Sequence, residues 1–143
     1  MKRVHVAAAV IRDDSGKILI ARRADSQHQG GLWEFPGGKV EADETVESAL
    51  ARELKEELGI VVGAARPLIK VRHDYPDKQV LLDVWEVSAF TGEPHGAEGQ
   101  PLAWVTAKDL PNYEFPAANQ PIVAAARSPG AYPITPDEQK TPA

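Results

Sequence analysis

Gly37-Gly38-Lys39-Val40-Glu41-Ala42-Asp43-Glu44-Thr45, followed after six residues by Arg52-Glu53-Leu54-Lys55-Glu56-Glu57-Leu58-Gly59-Ile60, is the stretch that decides the fold of this chain. Asp43, Glu44 and Thr45 offer a helix start, and Gly59 suits the left-handed position that ends one. Between them Val46, Leu50, Leu54 and Leu58 recur at fourfold spacing. This apolar stripe predicts a helix over about 45–58, packed on a sheet. At about 100° per residue, Glu53, Glu56 and Glu57 fall together on an adjoining strip. Glu47 lands near the buried side in the same projection, a small misfit in the first turn.

Three neighbouring carboxylates repel one another, and on a Glu-rich helix they are ordinarily just a solvated face balanced by cations such as Arg52 and Lys55. The glycine turn Gly37-Gly38-Lys39 changes that reading, because it lets an ion or a phosphate approach the backbone closely. Oxygen-only clusters of this kind suit Mg²⁺ or Mn²⁺, which bind few carboxylates and complete their shells with water and substrate phosphate. Seven of the 21 acidic residues lie between Glu41 and Glu57. A divalent cation bound there reverses the local field and attracts a polyphosphate.

Outward from the helix, residues 3–12 and 17–23 read as two strands joined by the turn Asp13-Asp14-Ser15-Gly16, a hairpin-like opening. Residues 24–39 read as a loop. Strands are expected at 67–74 and 79–90 around the turn Tyr75-Pro76-Asp77-Lys78, and a short one at 102–105 after the polar loop 92–100. Residues 117–127 resemble a second helix, with Pro121 tolerable only in its first turn. These layers predict an α/β fold, an α/β/α sandwich with a mixed central sheet. Four of the 12 prolines fall within residues 128–143, which read as a Pro-rich tail or linker after a domain over 1–127.

A chain of 143 residues suits one domain with its own core. Without cysteine it has neither disulfides nor thiolate metal sites, and its four histidines lack zinc-like spacing. The apolar run Val4–Ile11 is too short to span a membrane, so a cytoplasmic protein is expected. A net charge of −5 argues against a nucleic-acid polymer as partner, though not against a nucleotide.

The fixed positions spell G-x5-E-x7-R-E-U-x-E-E-x-G-U, where U is a bulky aliphatic residue, and resemble the signature of the Nudix hydrolases at every one. Seven of them are Gly, Arg or Glu, so a chance match is on the order of 10⁻⁸ per starting point. The likeness covers about residues 1–127. Arg22-Arg23, the run Leu32–Lys39, Glu98-Gly99-Gln100-Pro101 and Phe115–Asn119 resemble the MutT branch, whose enzymes hydrolyse 8-oxo-dGTP to the monophosphate and pyrophosphate, cleansing the pool before a polymerase uses it. The resemblance implies a monomeric, Mg²⁺-dependent diphosphohydrolase, with Mn²⁺ as a substitute. By similarity, Gly37, Glu53, Glu56, Glu57 and Glu98 would hold the metal, and either Glu53 or Glu98 would take the proton from water. Arg52 and Glu44 would support the glutamates, while Arg23 and Lys39 would contact phosphate. His28, Phe35, Asp77 and Lys78 match positions near the substrate, with Lys78 where an arginine is common.

Asn119 separates substrates. Guanine presents acceptors at O6 and N7; oxidation at C8 turns N7 into a donor, so one amide can bond both atoms. The plain alternative is that Asn119 caps the helix after Phe115-Pro116. A second reading is a Nudix enzyme for cytidine or modified pyrimidine triphosphates, which shares the Trp-Glu-Phe and Gly-Gly-Lys run. A nucleotide sensor without turnover is the third; such modules typically lose motif glutamates, and all four are present here. Trp85 and Trp104 read as core residues.

Overall fold

The computed structural model describes residues 2–26 and 30–127. The candidate His28 and the proline-rich segment 128–143 lie outside the described residues. The elements are β1 (Lys2–Ile11), β2 (Ile18–Arg22), β3 (Trp33–Glu34), β4 (Gly37–Lys39), α1 (Val46–Leu58), β5 (Val61–Tyr75), β6 (Lys78–Thr91), β7 (Leu102–Val105) and α2 (Gln120–Ala126). Two 3₁₀ turns, Ala107–Asn112 and Ala117–Asn119, precede α2.

β1 is the centre of a mixed sheet ordered β4-β1-β6-β5. It runs parallel to β6, with Val6 beside Leu82 and Ala8 beside Val84, and antiparallel to β4, with Ala7 beside Gly38. A second, antiparallel sheet is ordered β3-β2-β7. Ala7–Ile11 is apolar without interruption because both of its faces are buried. Ala7, Ala9 and Ile11 join Leu19, Leu50, Leu54 and Leu58 in one core under α1. Ala8 and Val10 join Ile18, Ile20, Phe115 and Ile122 in the other, under α2. Helix, sheets and helix make the expected α/β/α sandwich. Trp85 and Trp104 pack against the α1 core. Among the described residues no helix is long and apolar enough to cross a membrane.

The opening hairpin is corrected. β1 and β2 meet only at the bridge between Arg12 and Ile18, then diverge into different sheets. Both edges of β1 are already taken by β4 and β6, so β2 finds its partners in β3 and β7. The expected loop 24–39 contains two short strands, β3 and β4. β5 begins six residues before the expected 67, through register shifts at Val62/Ala64, Ala64/Ala65 and Pro67/Ile69. Gly63 and Pro67, which read as strand breakers, sit at those irregularities. The second helix is shorter than expected, starting at Gln120 with Pro121 in its first turn.

α1 follows its sequence closely. The Thr45 hydroxyl accepts from the Ser48 N–H at 3.1 Å, and Gly59 closes the helix at φ 73° with its N–H on the Lys55 carbonyl. Glu47 is exposed and Ala49 fills the buried place beside Leu50, which resolves the first-turn misfit. At the opposite end of the sheet, buried Glu86 binds Arg12 and Arg66, and Arg12 also donates to the Ala126 carbonyl at 2.9 Å, tying α2 to the strands.

Candidate active site

β4 lies against α1, and the glycines permit that approach. A side chain at Gly38 would overlap the Glu53 carboxylate, while one at Gly37 would run into the backbone of Ala7 and Ala8. Gly37 has φ 155°, and its N–H donates to Glu57 Oε1 at 3.3 Å. The Arg52 guanidinium forks onto Glu44, with Nε to Oε2 at 2.6 Å and Nη2 to Oε1 at 3.0 Å. The same group reaches Glu53 Oε2 at 3.0 Å, the Lys39 carbonyl at 3.1 Å and Glu56 at 3.6 Å. Arg52, followed by the Glu41 N–H, lowers the Glu44 pKa to about 2. Glu57 has the opposite environment: burial, then the charge and contact of Glu53, push its pKa up to about 8. Glu57 therefore keeps its proton at neutral pH beside Glu53, while Arg52 balances Glu44, Glu53 and Glu56.

Glu57 opens into a cleft of about 410 Å³, whose walls also carry Arg22, Arg23, Glu34, Glu98 and Gln100. Glu98 arrives on the exposed loop between β6 and β7. Glu56 points toward solvent, its side chain 56% exposed. Among the described residues no three His, Asp or Glu side chains already converge as a metal cage. Arg52 engages Glu53, and Gly37 engages Glu57.

A second cleft of about 310 Å³ shares Arg23, Glu34 and Gly37 with the first and is otherwise largely apolar. Val4 and Val6 of β1, Val80 and Leu82 of β6, and Ile122 of α2 line it. Phe35 is buried there and stacks on Phe115, with ring centres 5.1 Å apart. Lys39, Lys78 and Asn119 also line it, and the Lys78 ammonium lies 5.5 Å from the Tyr75 ring centre. Asp77 is exposed in the turn and is not part of the wall. Asn119 occupies the N-cap position of α2 at φ −90° and ψ −8°, but makes no side-chain cap bond. That backbone is helical rather than extended, so the amide is not aimed at the free N–H groups.

Sequence reasoning passed over Glu34, although it lies inside the quoted run Leu32–Lys39. Glu34 lines both clefts and binds Arg23 at 2.5 Å. Burial raises its pKa, Arg23 lowers it in part, and Glu98 raises it further. Tyr75 was also missed, because its place on the wall depends on the β5–β6 register and not on a local pattern.

A family model for the NUDIX domain matches residues 7–125. The chain is 41% identical over 124 residues to an 8-oxo-dGTP diphosphatase of Escherichia coli, covering 87% of this chain and 96% of that protein. It is 39% identical over 125 residues to a CTP pyrophosphohydrolase of the same organism, covering 87% and 92%. Among solved structures, one from a study of MutT from Aliivibrio salmonicida and Vibrio cholerae superposes with a TM-score of 0.80 at 43% identity, covering 90% of this chain and 99% of that one. These matches run through α1, both sheets and the loop that carries Glu98, and so the chain belongs to the Nudix family and is a Nudix hydrolase.

Proposed function

We propose that this hydrolase converts 8-oxo-dGTP to 8-oxo-dGMP and pyrophosphate by water attack at the β-phosphorus, with Mg²⁺ as its metal and Mn²⁺ as a substitute. The observation that carries the reading is Asn119: a side-chain amide without a hydrogen bond among the described residues, in the wall of an apolar cleft that joins a carboxylate cleft. Its carbonyl matches N7–H of 8-oxoguanine and its NH₂ matches O6, whereas N7 of guanine would set a lone pair against the carbonyl. Val4, Val80 and Leu82 give the cleft an apolar wall, which raises the cost of a mismatched polar edge.

Nudix hydrolases generally need a divalent metal. The donors present here fit one: all are oxygens, and Glu57, half-buried beside Glu53, holds at neutral pH a proton that a divalent cation would displace. Gly37, Glu53, Glu56, Glu57 and Glu98 are the residues proposed to hold it. A bound divalent ion supplies charge neutralisation for the triphosphate and lowers the pKa of water. Arg52 and Glu44 keep Glu53 oriented, Arg23 and Lys39 bind phosphate oxygens, and Glu53 or Glu98 accepts the proton of the attacking water. Phe35, Lys78 and Asn119 bind the nucleoside.

The test is a comparison of kcat/KM for 8-oxo-dGTP, dGTP and CTP with Mg²⁺. A preference of about 10⁴ for the oxidised nucleotide over dGTP is expected of a site that leaves buried polar groups unpaired with the wrong base. The 39% identity to a CTP pyrophosphohydrolase supports a second reading, in which pyrimidine triphosphates are the substrates. CTP outpacing 8-oxo-dGTP would establish that reading instead.

A further inference from the structure

Glu98 and Glu57 face the same cleft from separate parts of the chain, the first on an exposed loop and the second in the last turn of α1. An exposed loop does not by itself hold a carboxylate at a fixed distance from a helix. Gln100 connects the two. Its Oε1 accepts the Glu98 N–H at 2.9 Å, and its Nε2 donates to the Glu57 carbonyl at 3.0 Å. A side-chain amide offers an acceptor and a donor on one planar group, and the two bonds fix which way round it lies.

The rest of the loop docks on the same helix end. The Ala97 N–H donates to the Glu57 carbonyl at 3.0 Å and the His95 N–H to the Leu58 carbonyl at 3.1 Å. These are carbonyls that a helix leaves without partners at its C-terminus. The His95 ring lies over Gly59, where a side chain would collide with it, and Gly96 lets the Gln100 carbonyl fold against the loop. The loop is therefore a cap on α1. Among the described residues Gln100 is the one side chain that joins its Glu98 end to the Glu57 turn.

We propose that Gln100 is a positioning residue that holds Glu98 over the Glu57 end of the cleft. It acts through Glu98, because its amide is engaged by the Glu98 N–H and the Glu57 carbonyl. This rests on the assignment of Glu98 to the reaction made above. Displacing a reacting group by about an ångström is enough to cost activity severely.

Gln100→Met keeps the length and removes both bonds; Gln100→Glu keeps the acceptor for the Glu98 N–H and turns a carboxylate oxygen toward the Glu57 carbonyl. Both variants are expected to lower kcat/KM about tenfold or more, mainly through kcat. In a Glu98→Gln background the same changes should have little further effect, because residues acting as one unit are not additive. In the metal-free protein, amide exchange read by NMR should show the Glu98 N–H protected in the parent and exposed in Gln100→Met. Equal losses with and without the Glu98 carboxylate would reduce Gln100 to a general structural role. Unchanged turnover, or unchanged protection of the Glu98 amide, would overturn the proposal. The NMR result stands even if the parent turns over none of the three nucleotides, an outcome that would count against the substrate reading alone.

Discussion

The two clefts share Arg23, Glu34 and Gly37, yet they are built in opposite ways. The carboxylate cleft is lined by Glu57 of α1, Gly37 of β4, Glu34, Arg22 and Arg23, with Glu98 added from a loop, and Glu57 links it to Glu53 and through that to Arg52 and Glu44. Its charges are in conflict: Arg52 holds Glu44 down at about 2, while Glu53 helps drive Glu57 up to about 8. The apolar cleft draws its lining from β1, β4, β5, β6, the 3₁₀ turn Ala117–Asn119 and α2, and Asn119 offers it a neutral amide. Its walls are set by strand register and core packing. Charge conflict creates demand for a cation; a neutral amide beside apolar side chains creates selectivity for a base edge. The first kind of site should fail in turnover when altered, and the second in discrimination.

The largest expected effect is on turnover. Glu53→Gln is nearly isosteric and relieves repulsion with Glu57, so the fold should survive. Loss of a carboxylate that serves the metal or takes a proton is expected to reduce kcat by about 10²–10⁴. Near-normal turnover with Mg²⁺ would remove Glu53 from the reaction and erase the contrast between the clefts.

The two glycines sharpen the comparison within one strand. Alanine at Gly38 would meet the movable end of Glu53, whereas alanine at Gly37 would meet the backbone of β1 in a conformation that side chains rarely adopt. Gly38→Ala is expected to fold with a melting temperature close to the parent and lose about a hundredfold in kcat as Glu53 is displaced. Gly37→Ala should instead lower stability itself. Thermal melts alongside activity separate these outcomes; equal destabilisation by both would mean that Gly38 serves packing and not the carboxylate.

Asn119→Ala probes the other cleft. It should lower kcat/KM for 8-oxo-dGTP about ten- to a hundredfold more than for dGTP, the cost of one matched bidentate contact. An equal loss for both would return Asn119 to the plain role of supporting α2.

The same contrast explains what could be read from the sequence. Arg52, Glu53 and Glu57 come together because a helix converts fixed spacing into fixed neighbours, Glu44 reaches Arg52 from just before the helix, and Gly37 and Gly38 mark the place where backbone must approach them. Nothing local says that Val4, Val80 and Tyr75 share a wall, because that depends on the parallel pairing of β1 with β6 and the register of β5 on β6. The opening hairpin misled for a related reason: adjacency and a good turn suggest pairing, but competition from β4 and β6 decides it. The early part of β5 was hidden by Gly63 and Pro67, which the strand accommodates by shifting register.

The smallest expected effect is on stability, and it concerns the charge conflict directly. In the folded, metal-free protein Glu57 keeps its proton to about pH 8, against an ordinary value of 4.5. Between those values the folded state binds more protons than the unfolded one, so stability falls as pH rises. The contribution is complete below about 4.5 and is lost as pH passes through about 8. With chelator present, the melting temperature should therefore decline between pH 6 and pH 8.5, and Glu57→Gln should flatten that decline. At pH 8, Mg²⁺ at a hundredfold excess over its dissociation constant adds about 2.7 kcal/mol by mass action, or roughly 10 °C for a domain of this size. The rise should be smaller in Glu57→Gln, which has lost both the charge conflict and a ligand. A melting temperature that ignores both pH and Mg²⁺ would show that Glu53 and Glu57 do not strain the fold, and the carboxylate cleft would then have no intrinsic demand for a cation.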